Sequence, residues 1–138
     1  MYQSEPYKVA INMAGNAEAN IKRDLSVEIQ NLEQNYAIIR SFLAGKDYDS
    51  ITIGQSIQSF KDSLNRASAF VLALYNLKGK RVNIPWDSLF TSLDYALATI
   101  SVSSSPKQKE AVRTILSMSH EHIGQVLSYF EALKESIK

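Results

Sequence analysis

Arg113 and His120 are the two side chains of this sequence best suited to acid–base chemistry on a phosphate. Seven residues make close to two helical turns, so both fall on one side of a helix. Ser117 lies between them, and Glu110 precedes the arginine by one turn. An arginine can hold a phosphate while a histidine moves a proton near neutral pH, which is what cleaving RNA requires. The plainer reading is a solvated strip on which Arg113 pairs with Glu110, worth about 0.2–0.5 kcal/mol. His120 and His122 are the only histidines, the chain has no cysteine, and no acidic pair stands at matching helical spacing. Neither a metal centre nor any other cofactor is expected.

The stretch Arg113-Thr114-Ile115-Leu116-Ser117-Met118-Ser119-His120 resembles the signature of the HEPN family of four-helix ribonucleases, an arginine and a histidine a few residues apart. The resemblance implies a ribonuclease with Arg113 and His120 as its working pair. The chain departs from the family's usual pattern in carrying Thr114 after the arginine, where Asn, Asp or His is common.

A second cluster is built for binding rather than catalysis. Lys78, Lys80 and Arg81 stand in one short connection. With chain reversal at each predicted turn, Lys8, Lys134 and Lys138 come to the same end of the molecule. Such a patch touches phosphates with salt-dependent affinity. Glu5, Glu131 and Glu135 dilute it, and no aromatic is interleaved to stack on bases. The competing reading is a solvated loop whose cations offset the dipoles of helix C-termini. The whole chain carries 15 Lys and Arg against 14 Asp and Glu, so no global basic excess supports a nucleic-acid or membrane surface.

The elements that must position these groups read as helical throughout. Val9, Met13, Ala17, Ile21, Leu25, Ile29, Leu32, Tyr36, Ile39 and Leu43 mark one apolar stripe. It ends at Gly45, whose freedom at positive φ suits a helix C-terminus. Gly15-Asn16 is the place where this helix would bend. Thr52 and Gln55 stand in capping-box spacing, with Ser50 as an alternative cap. Ile53, Ile57, Phe60, Leu64, Ala67, Val71 and Leu74 then alternate steps of four and three up to Gly79. A third stripe is Trp86, Leu89, Phe90, Leu93, Leu97 and Ile100, with Asp87 placed to complement the helix dipole. The fourth opens with Ser105 as cap, Pro106 at the first helical position and Gln108 completing a capping box. Its stripe is Val112, Leu116, Ser119, Ile123, Val126, Phe130, Leu133 and Ile137, with Gly124 read as a point of close helix approach. The predicted helices are residues 6–44, 52–78, 85–101 and 106–136. They form one all-α domain, an antiparallel up-down-up-down four-helix bundle.

A length of 138 residues, 45% apolar and 21% charged, suits one globular core without staples. The absence of cysteine fits a reducing compartment. The longest apolar run, Ala69 to Tyr75, falls far short of a membrane span, and the N-terminus lacks a signal-peptide pattern. A cytoplasmic protein without membrane contact is expected.

Helix one would be about 58 Å long and helix three about 26 Å. One end of helix one therefore projects past its partners, or folds back at Gly15. Tyr7, Tyr36, Tyr75, Tyr95 and Tyr129 edge the helices, where tyrosine serves either core margins or partner surfaces. In size, helical class, cysteine-free composition, basic loop and overlong helix, the chain resembles the small helical subunits of CRISPR effector complexes. That resemblance implies a non-enzymatic subunit of an antiviral ribonucleoprotein, contacting single-stranded RNA or DNA backbone through basic side chains. Three functional readings stand open. They are a subunit packing with other proteins or with itself in a nucleoprotein assembly, a HEPN-like ribonuclease, and a protein–protein adaptor that touches no nucleic acid.

Overall fold

The computed structural model describes the backbone of residues 5–80, 86–102 and 106–136, and side chains from residue 17 onward apart from 101, 102 and 106. Five helices make up these segments: α1 (Glu5–Leu43), α2 (Ser50–Leu77), α3 (Asp87–Val102), α4 (Pro106–Met118) and α5 (His120–Ser136). The all-α class is as expected, but the expected count of four helices is not. The predicted fourth helix divides at Ser119.

That division has a local cause. The Ser119 hydroxyl donates to the Ile115 carbonyl at 3.3 Å, and its N–H bonds the Leu116 carbonyl three residues back. The Ser119 carbonyl then accepts from Ile123 N–H at 2.9 Å, opening α5. The same side-chain bond occurs at Ser26, Ser68 and Thr114 inside unbroken helices. The break is therefore marked by the shifted backbone bond of Ser119, and serine is favoured at helix starts.

α1 and α2 form the most extensive pair, an antiparallel hairpin. Its turn follows the expected glycine logic. Gly45 has φ +104°, its N–H bonds the Phe42 carbonyl, and Lys46 N–H bonds the Ser41 carbonyl, the two hydrogen bonds of a Schellman motif. The cap of α2 is neither Thr52 nor Ser50, as the spacing predicts, but Asp49. Its carboxylate accepts from Thr52 N–H at 2.6 Å, while the buried Ser50 hydroxyl has no partner among the described residues.

All seven predicted positions of α2, from Ile53 to Leu74, are buried. In α1 the predicted Leu25, Ile29, Leu32 and Ile39 are fully buried, but the stripe ends on Phe42 rather than Leu43. Gly54 faces α3, where a Cβ would sit 3.7 Å from Ile100 Cγ2, an ordinary van der Waals contact. At Gly124, by contrast, a Cβ would meet nothing within 4 Å, so the expected close approach at that glycine does not occur.

Polar links set the register. Arg66 of α2 donates to Glu28 of α1 at 2.9 Å, and Lys61 of α2 pairs with Asp94 of α3. Glu28 is 9% exposed, and its other carboxylate oxygen is buried without a partner among the described residues. With Arg66 opposite Glu28, Leu77 falls opposite about Ala17. The helical assignment of α1 continues unbroken through Gly15 to Glu5. Residues 5–16 therefore run about 18 Å past the end of α2 at 1.5 Å per residue.

Candidate nucleic-acid interface

α2 ends in a second Schellman turn. Gly79 has φ +68°, its N–H bonds the Asn76 carbonyl at 3.0 Å, and Lys80 N–H bonds the Tyr75 carbonyl at 2.8 Å. The turn folds Lys78 and Lys80 back beside the last helical residues instead of sending them away. There they meet α1 and α5. Lys22, Tyr75, Lys78, Lys80, Leu133 and Ser136 surround a cavity of about 190 Å³. Both loop lysines are exposed and form no ion pair among the described residues. Lys22 is held by Glu18 one turn earlier, at 3.3 Å.

Of the cluster expected from sequence, Lys78 and Lys80 thus come together. Lys134 is directed elsewhere, to Glu33 at 3.6 Å. Arg81 and Lys138 lie outside the described residues, as does the side chain of Lys8. Lys22 is a member that the sequence pattern does not predict, although antiparallel pairing of α1 with α2 about the Gly45 turn brings it opposite the end of α2. An aromatic neighbour is also present, against expectation. Tyr75 is on the rim of the cavity, and Tyr129 stands next to it, its hydroxyl pushed above the usual tyrosine range first by burial and then by Tyr75. Trp86 packs on Tyr129 and Phe130, at ring-centroid distances of 5.5 and 5.1 Å, and fixes the start of α3 against α5.

Arg113 and His120 serve different neighbours. Arg113 Nε donates to the Phe42 carbonyl at 3.1 Å, Nη1 to Glu110 at 3.2 Å, and Nη2 to the Lys46 carbonyl at 3.5 Å. Its guanidinium also lies 4.4 Å from the Phe42 ring centroid. The pairing with Glu110 is the one the spacing predicts. The contacts with Phe42 and Lys46 make this arginine a clamp on the α1 C-terminus and, with Glu110, engage three of its five N–H donors. His120 lies beyond the helix break, its Nε2 3.4 Å from the Tyr36 hydroxyl and its ring stacked on that tyrosine at 6.3 Å. The cavity His120 lines, about 360 Å³, draws its arginine from α1: Arg40, with Leu43, Ala44 and Ser117.

A further cleft of about 420 Å³ opens between α3 and the α4–α5 junction, lined by Tyr95, Ile115, Met118 and His122 with serine and threonine hydroxyls. Tyr95 is 66% and Met118 80% exposed. Among the described residues no group of three or more His, Cys, Asp or Glu could hold a metal ion, and no helix is long and apolar enough to cross a membrane. No protein-family model, curated protein or solved structure matches this chain.

Proposed function

We propose that this chain is a non-enzymatic helical subunit of a nucleoprotein assembly, packing against other subunits and contacting single-stranded RNA or DNA through its backbone phosphates. In this reading α4 and α5 together act as the fourth leg of an antiparallel bundle. The observation that carries the proposal is the convergence of Lys22, Lys78 and Lys80, from two separate parts of the chain, on one cavity. Like charges repel. Gathering the ammonium groups of Lys78 and Lys80, unpaired among the described residues, beside Lys22, whose own charge is shared with Glu18, is compensated when an anion occupies the space. Tyr75 on the rim adds a ring face of the kind on which bases stack. The overhang of α1 supports packing into something larger, as does the resemblance to small helical subunits of CRISPR effector complexes. A cytoplasmic, antiviral-defence setting belongs to the same proposal.

The test is a mobility shift of labelled single strands at rising salt, together with light scattering of the protein alone and with added strand. Retarded complexes that dissolve as salt rises are expected. A protein that leaves single-stranded RNA and DNA unshifted at low salt would remove the nucleic-acid part of the proposal.

A protein–protein adaptor without nucleic acid is the second reading. The α3–α4 cleft favours it, because an exposed tyrosine and methionine beside hydroxyls are typical of partner surfaces. No comparable observation favours a ribonuclease using Arg113 and His120, since the arginine turns to the end of α1 while the histidine stacks on Tyr36.

A further inference from the structure

Lys22 and Arg40 are separated by eighteen residues of one unbroken helix, which is five full turns. They therefore share a face of α1, about 27 Å apart. Along that face three cavities follow one another in the seam between α1 and the α4–α5 leg. The first is the lysine cavity. The second, about 540 Å³, is lined by Glu33, Tyr36, Arg40, Leu127 and Glu131 among others. The third, a shallow depression that shares Arg40 and Ala44 with the second, is lined by Ser117 and His120. The seam is thus cationic at both ends. Its middle holds Glu33, neutralised by Lys134, and Glu131, which is exposed on α5. Arg40 is exposed, and its guanidinium forms no ion pair among the described residues.

We propose that a single nucleic-acid strand lies along this α1–α5 seam, its phosphates held by Lys22, Lys78 and Lys80 at one end and by Arg40 and His120 at the other. The inference rests on the nucleic-acid reading above and extends it from one patch to a path. Spacing argues for the ligand. A compact anion such as inorganic phosphate would need one end only, whereas cations about 27 Å apart on one face suit an extended polyanion. Arg40 can grip a phosphate through two parallel N–H bonds, and the Ser117 and His120 side chains can add hydrogen bonds from across the groove. Tyr36, partly buried and stacked on His120, lines the middle cavity, where its edge can meet an unpaired base, which a duplex would not present. Glu131 opposes the strand, and its charge should weaken binding.

The proposal can be tested by fluorescence anisotropy of a labelled fifteen-residue oligouridine, with wild type, Arg40→Ala, Glu131→Gln and the double variant Lys78→Ala/Lys80→Ala. Circular dichroism melting checks that each variant is folded. Arg40→Ala is expected to weaken binding about fivefold and to flatten the salt dependence by about 0.7 in log–log slope. Glu131→Gln is expected to tighten binding. If either variant binds as wild type while the double lysine variant is weakened, the seam is wrong and the lysine site stands alone. Failure of the wild type itself to bind would overturn both proposals.

Discussion

Arg113 does at one point of the structure what several residues would otherwise share. The Phe42 carbonyl in the last turn of α1 already accepts from Gly45 N–H in the Schellman turn, which leaves its second lone pair for a further donor. Arg113 supplies a charged donor there, a second to the Lys46 carbonyl, and a face-on contact with the buried Phe42 ring. Hydrogen bonds from charged donors contribute about 1.5–3 kcal/mol, so Arg113→Ala is expected to lower unfolding free energy by about 2 kcal/mol in urea titration. Lysine should not restore it, because a single ammonium cannot reach both carbonyls and the ring. Glu110 is legible in the sequence as a partner because the two stand one turn apart on the same helix. Phe42 and Lys46 are not, being 71 and 67 residues away. Asp49 presents the opposite case, a purely local device. The backbone N–H of Thr52, and then its hydroxyl, hold the Asp49 carboxyl below its usual value of 3.8. A depressed folded-state pKa gives stability that is present above the unfolded value and lost as pH falls through the folded one. The thermal midpoint of wild type should therefore exceed that of Asp49→Ala at pH 7, with the gap narrowing as pH falls below 3.8.

Among the elements, the core stripe and C-terminal end of α2 are legible because its burial repeats with the period of the helix and Gly79 closes it, whereas its Asp49 cap is not. Seven predicted core positions are buried, and the left-handed glycine stands where the chain must turn. The last core position of α1 is ambiguous in the pattern, since steps of three and four from Ile39 reach Phe42 and Leu43 equally well. The break at Ser119 is invisible for a related reason. Ser119 is 3% exposed, so it occupies a core position in the stripe as the pattern requires. What marks the division is one backbone hydrogen bond, from Ser119 N–H to the Leu116 carbonyl three residues back, and a hydrophobic period does not register it. Gly124 misleads in the other direction, suggesting a packing necessity where there is open space. Glycine within a helix costs about 0.5–1 kcal/mol relative to alanine, so Gly124→Ala should raise stability by about that amount in the same urea titration. A loss of stability there would mean that a neighbour does approach α5 at this point.

At the scale of the whole molecule, the lysine cavity is assembled from the end of one hairpin leg, the flank of the other and the C-terminal turn of α5. Only Lys78 and Lys80 of that group are close in sequence, which is why they are visible without the fold and Lys22 is not. Arg40 and Lys22 both fall in the predicted helix beyond Gly15, so their spacing is legible, but the cavities that the α4–α5 side builds against them are not. If this lysine cavity binds nucleic-acid phosphates, the salt dependence of single-strand affinity must report the lysines themselves. Each phosphate that is no longer neutralised should reduce the magnitude of the slope of log K against log salt by about 0.7, so Lys78→Ala/Lys80→Ala is expected to lower it by about 1.4. Parallel lines for wild type and the double variant, with unchanged affinity, would contradict phosphate binding at this cavity.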